Sequence, residues 1–80
     1  MNDQQILDEI QRLVAEEHQL REKAESTDLG ESDHGRLRAL EISLDQCWDL
    51  LRQRRARREF GQDPTNAEVR DSTTVERFRQ

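Results

Sequence analysis

Five arginines crowd the stretch from residue 52 to residue 58: Arg52, Arg54, Arg55, Arg57 and Arg58. A guanidinium is a planar fork of donors that grips phosphate or carboxylate two bonds at a time. Such a cluster could hold the phosphates of RNA or DNA, or an acidic protein. It also has a plainer use. Cations near a helix C-terminus are favoured by the macrodipole, by about 0.3–1 kcal/mol each when exposed. Asp3, Asp8, Glu9 and Asp49 are on hand as counter-charges. Spread around a helix, the arginines cannot all face one ligand. No stacking aromatics are interleaved with them, since Trp48 and Phe60 only flank the run. A net charge of −5 also works against nucleic acid.

A second constellation is Glu16-Glu17-His18 with Arg21 and Glu22. His18 and Glu22 lie one helical turn apart, so both could reach a metal. A di-metal helical bundle uses Glu-x-x-His pairs projecting into its core. Ala15 stands where that motif needs Glu before His18, and Glu31–His34 has the spacing but sits at a loop. The expected role of Glu17, His18 and Arg21 is a polar belt. Glu17 sets register, paired to Arg21 or to an arginine across a bundle, and His18 lies on the rim. No metal and no cofactor is expected. Catalysis has no support either: nucleophile, base and oxyanion donors converge on no loop, and no glycine-rich loop could cradle phosphate.

These residues ride on two amphipathic helices. Leu37, Leu40, Leu44, Cys47 and Leu51 step by three and four, the period of one helical face and of a coiled-coil seam. Trp48 widens that stripe, and Leu50 lies on its other flank. Leu44, Cys47, Trp48 and Leu51 are the expected core or dimer anchors, with Cys47 a small buried hydrophobe rather than a reactive thiol. Ile42 falls outside the seam and suggests a second contact. The helix is expected over about 33–60, with Ser32 or Asp33 as its cap and Gly61 closing it in the left-handed conformation. The first helix, over about 3–26, opens with an Asn2/Gln5 capping box. It carries Ile6, Ile10, Leu13, Leu20 and Ala24 at seam spacing, flanked by Leu7 and Val14.

The connector, STDLGESD, is short enough to fold the helices back on each other. The fold class is therefore all-α: an antiparallel helical hairpin spanning residues 1–61. Folding about Leu29–Gly30 pairs residues whose numbers sum to about 60. Each helix has a wider apolar face than one neighbour can cover, so the hairpin is expected to dimerise into a four-helix bundle. Residues 62–80 form a C-terminal arm, partly ordered, extended or a short helix. Asp63-Pro64 starts it with a turn. Thr73 with Glu76 suggests a helix over Thr74–Arg79 with Val75 and Phe78 on one side.

Eighty residues make one domain at most, and only 31% are apolar while 39% are charged. A chain this small and polar has difficulty burying enough surface without a partner. A single cysteine allows no internal disulfide and suits a reducing compartment. No apolar run approaches the about 20 residues of a membrane span, and MNDQQILDEI is not a signal peptide. A cytoplasmic protein with no membrane association is expected.

The strings LVAEEHQLRE and LDQCWDLLRQRRARREFGQDP, with the ILxxI start and the VExxxQ tail, resemble a family of small actinobacterial proteins classed as a domain of unknown function. The likeness covers nearly the whole chain and is carried most specifically by Asp45-Gln46-Cys47-Trp48-Asp49. It implies a small helical protein and no activity. The family's tail carries prolines where this chain has Asp71-Ser72. The expected function is a small non-enzymatic protein-interaction or regulatory module with an unknown protein partner. The alternative is an RNA- or ribosome-associated factor using Arg52–Arg58, and a metal-binding helical bundle stands further off.

Overall fold

A computed structural model describes the backbone of residues 1–78 and the side chains of residues 1–76. Two long helices dominate: α1, Asp3–Ser26, and α2, Glu31–Glu59. They run antiparallel as a hairpin. A short 3-10 turn, Pro64–Asn66, and a third helix, α3, Ser72–Phe78, follow. No strand occurs among the described residues.

The start of α1 is fixed locally. Asn2 accepts from the Gln5 amide at 2.8 Å, and the Gln5 side chain accepts from the Asn2 amide at 2.9 Å. This reciprocal box satisfies two of the donors a helix leaves unpaired at its start. The start of α2 differs from expectation. Gly30 holds the N-cap position and offers no side chain to cap the helix. Asp33 lies inside the first turn, and its carboxylate crosses to Lys23 of α1 at 2.8 Å. An inter-helix ion pair has taken the group expected to be a cap. The far end behaves as the sequence predicts. Gly61 has φ 73°, the Gly61 amide donates to the Arg58 carbonyl, and the Gln62 amide donates to the Arg57 carbonyl. Those two bonds make the Schellman closure.

Register is visible in the ion pairs between helices. Lys23–Asp33, Arg36–Glu16, Arg21–Glu41, Arg54–Asp3 and Arg58–Asp3 tie numbers summing to 52–62, around the expected 60.

The core runs down the inside of the hairpin: Ile6, Ile10 and Leu13 from α1, Leu40 and Leu50 from α2, and Val75 from α3. Leu50 was expected on the flank of the stripe, yet it is more deeply buried than Leu44, Cys47 or Leu51, which pack half-buried against the same cluster. The reason is the arm. The segment after Gly61 returns along α2 and covers its Leu50 side, so the core is shifted away from the hairpin seam. Gln53 Nε2 donates to the Glu68 carbonyl at 2.6 Å, and Gln46 Nε2 to the Arg70 carbonyl at 3.2 Å. The arm is thus an ordered strap with α3 docked on α2. The cap of α3 is Asp71, which accepts from the Thr74 amide at 2.9 Å, and not Thr73 as the Thr-x-x-Glu pattern suggested. Asp71 sits one turn before Thr74 with both oxygens aimed at it, so the helix begins at Ser72. The Phe78 side chain and the expected helix end at Arg79 lie outside the described residues. The whole measures 50 × 25 × 17 Å.

Candidate interaction surface

Successive residues on a helix point about 100° apart, so Trp48 and Asp49 look out on different sides of α2. The two sides of the hairpin have opposite character. One is strapped by the arm. The other is open.

On the strapped side, Asp49 is fully buried, with 0% of its side chain exposed. Arg70 of the arm clamps it with two bonds: Nε donates to Oδ2 at 2.8 Å, and an Nη donates to Oδ1. Gln53 Nε2 adds a bond to Oδ2 at 2.9 Å. The Arg70 guanidinium, ahead of any other group, holds the Asp49 carboxyl below the usual carboxylate range, and Gln53 and Arg52 act in the same direction against burial. The clamp fastens the arm to the helix through a pair whose carboxylate is buried and whose guanidinium is partly exposed. Asp49 was expected to face the arginine run. Within that run only Arg52 comes near it, at 3.9 Å. Arg70, an unremarked arm residue, is the true partner. Pairing across 21 positions leaves no periodic signal in sequence.

The arginine run is divided by the fold. Arg54 is buried, 7% exposed. Its Nε bonds Asp3, and an Nη donates to the Pro64 carbonyl at 3.2 Å. Arg58 holds the other oxygen of Asp3 at 2.6 Å. Those two guanidiniums, Arg58 foremost, pull the Asp3 carboxyl below its ordinary value. Asp8 and Glu9 are not partners: Asp8 accepts from Gln4, and Glu9 pairs with Arg12. Arg54 is therefore removed from the set of ligand-binding candidates, because its guanidinium is spent joining α1, α2 and the arm. Arg52, Arg55 and Arg58 remain around an open groove that also holds Trp48, Leu7 and Leu51. Arg57 is half-buried on another side.

The polar belt is partly assembled. Glu17 and Arg21 are one turn apart at 3.6 Å, and Arg21 reaches Glu41 across the hairpin at 3.2 Å. His18 stands outside the belt, 71% exposed and bonded to Glu22 at 2.9 Å. Among the described residues, no three metal-ligating side chains come together.

Of the four expected anchors, Leu44, Cys47 and Leu51 pack on the core. Burial pushes the Cys47 thiol up, which makes it a poorer nucleophile. Trp48, the fourth expected core or dimer anchor, is 45% exposed within the chain. Among the described residues the arm packs on the opposite side of α2 and leaves this one open. Leu7 and Val14 on α1 share the exposure, at 38% and 46%. They are seven residues apart, hence on one face, and Leu7 lines the groove with Trp48. A second groove on the far side of Trp48 is lined by Glu17, Glu41, Leu44 and Asp45. Trp48 stands between the two. The open side is an apolar strip with Glu17, Glu41 and Asp45 at one end, where Arg21 reaches the first two, and Arg52, Arg55 and Arg58 at the other beside Asp3.

Residues 2–80 match the family described as Protein of unknown function (DUF2630). The chain belongs to that family. Uncharacterized proteins of Mycobacterium tuberculosis and Mycobacterium bovis are 49% identical to it over 77 residues, which is 95% of this chain and 88% of theirs. Such relatives agree with a small actinobacterial family. No solved structure matches the chain. No helix among the described residues is long and apolar enough to cross a membrane.

Proposed function

We propose that this DUF2630 member is a small non-enzymatic protein-interaction module whose working surface is the open Trp48 side of the hairpin. One observation carries the reading. A chain with few apolar residues leaves its single tryptophan 45% exposed, beside exposed Leu7 and Val14, on the side the arm does not strap. Tryptophan is enriched among residues that dominate protein contacts, and a contiguous apolar patch with a charged rim is the usual mark of such a surface. The fate of Arg54 supports it over the phosphate-binding alternative, since that guanidinium is buried and engaged by Asp3 and the Pro64 carbonyl.

The test is photo-crosslinking in the native cell. A photoreactive amino acid placed at Val14 should yield protein adducts. The same group at His18, 71% exposed but outside the belt, should yield few. Adducts confined to nucleic acid, or equal labelling from both positions, would sink the reading.

A further inference from the structure

The open strip has a symmetry of its own. Along α2, Glu41 lies seven residues before Trp48 and Arg55 seven after, each about 10.5 Å along the helix axis. Asp45 and Arg52 sit three before and four after. Leu44 and Leu51 occupy the turns between. Spacings of three, four and seven keep all of them on the Trp48 side. Among the side chains of α2 alone the strip is therefore nearly antisymmetric in charge about the indole, acidic toward its start and basic toward its end, while from α1 Arg21 reaches Glu41 at one end and Asp3 holds Arg58 at the other.

We propose that the occupant of this surface is a second copy of the chain, related by a two-fold axis passing close to Trp48. The proposal rests on the interaction-module reading and names its partner. Charge complementarity is what selects the occupant. A two-fold axis perpendicular to α2 lays one α2 antiparallel on the other, with paired numbers summing to about 96. Trp48 then meets Trp48 of the partner subunit. Glu41, which Arg21 of its own hairpin also reaches, faces Arg55 of the partner subunit. The Trp48 contact lies on the axis and occurs once, and each charge contact occurs twice, as a self-complementary interface requires. A parallel arrangement would oppose acid to acid and base to base. An arbitrary protein would match only one end of the strip unless it carried the same reversed charge order. The dimer is a four-helix bundle in which both arms lie outside, each strapping its own hairpin.

Charge reversal separates this pairing from any other dimer. The purified full chain should sediment at twice its 9.5 kDa mass at about 10 µM, and Trp48→Asp should sediment as a monomer. Glu41→Arg and Arg55→Glu should each weaken self-association about tenfold or more, because each places like charges at both ends of the interface. Mixed in equal amounts, the two variants should recover parent affinity, since every contact between them is again opposite in sign. Circular dichroism melts on each variant check that the hairpin stays folded. A parent that is monomeric at that concentration overturns the proposal. So does a dimer indifferent to Trp48→Asp, or a pair of charge variants that mixing does not rescue. A monomeric parent whose Val14 crosslinks other proteins in the cell would overturn the self-pairing alone and leave the interaction surface standing. Absence of protein adducts at Val14 would remove both.

Discussion

Arg70→Ala tests the strap most directly. The change leaves the Asp49 carboxylate buried, with Gln53 still bonded to it and Arg52 only at 3.9 Å. Removing one partner of a buried pair costs about 3–5 kcal/mol, mostly through the uncompensated charge left behind. Arg70 itself is 33% exposed, so water reaches the site once it is truncated, and the lower end, about 3 kcal/mol, applies. A domain of this size holds roughly 4–12 kcal/mol in all. The melting temperature should fall by about 12–24 °C. The effect has a definite pH dependence. In the parent the Asp49 carboxyl titrates lower in the folded state than in the unfolded one. Its stabilisation is fully present above the unfolded value, about 3.9, and is lost as pH falls through the folded value. In the variant the unpaired buried carboxylate prefers its proton. The gap between parent and variant should therefore be widest at pH 6–7 and narrow below about pH 4. Urea melts at pH 7 and pH 3.5 measure both. A variant within about 0.5 kcal/mol of the parent at pH 7, or a gap that widens in acid, would refute the claim that this pair fastens the arm.

The other predictions concern how burial sorts similar residues. Arg54→Ala should cost about 2–3 kcal/mol in denaturant melts, because it strips a charge-assisted bond from Asp3 and a bond from the Pro64 carbonyl, whereas Arg55→Ala should lie within about 0.5 kcal/mol of the parent. Trp48→Ala should cost a dilute sample only about half the 3–5 kcal/mol of a core aromatic, since the indole is already 45% exposed. That cost should grow with protein concentration as parent dimers gain stability by mass action. The Cys47 thiol should react slowly with an aromatic disulfide reagent at pH 8 in the folded chain and quickly in urea, since burial raises its proton affinity. Equal rates in both would place it at the surface.

The helices, the hairpin and its approximate register are legible in the residue order, because each rests on information held within a few turns. Three-and-four spacing names an apolar face, Asn2 with Gln5 opens a helix, and Gly61 closes one. The residue order also determined that Asp3 would neighbour the arginine end, since folding a hairpin about Leu29–Gly30 leaves little choice. What spacing could not supply was the third body. Besides the apolar contacts of Ala67 and Val75, the arm is held to α2 by side-chain bonds to its carbonyls and by the Asp49–Arg70 pair, and neither kind of contact has a period. That packing decided which side of α2 became core and which stayed open. It buried Leu50 and Asp49, left Trp48 outside, and split five similar arginines into one buried pin, Arg54, a half-buried Arg57 and an exposed rim. Residue type and local spacing specify what a helix can bury. Which of its faces is actually covered depends on where the remaining chain goes, and that is set by contacts between residues distant in sequence.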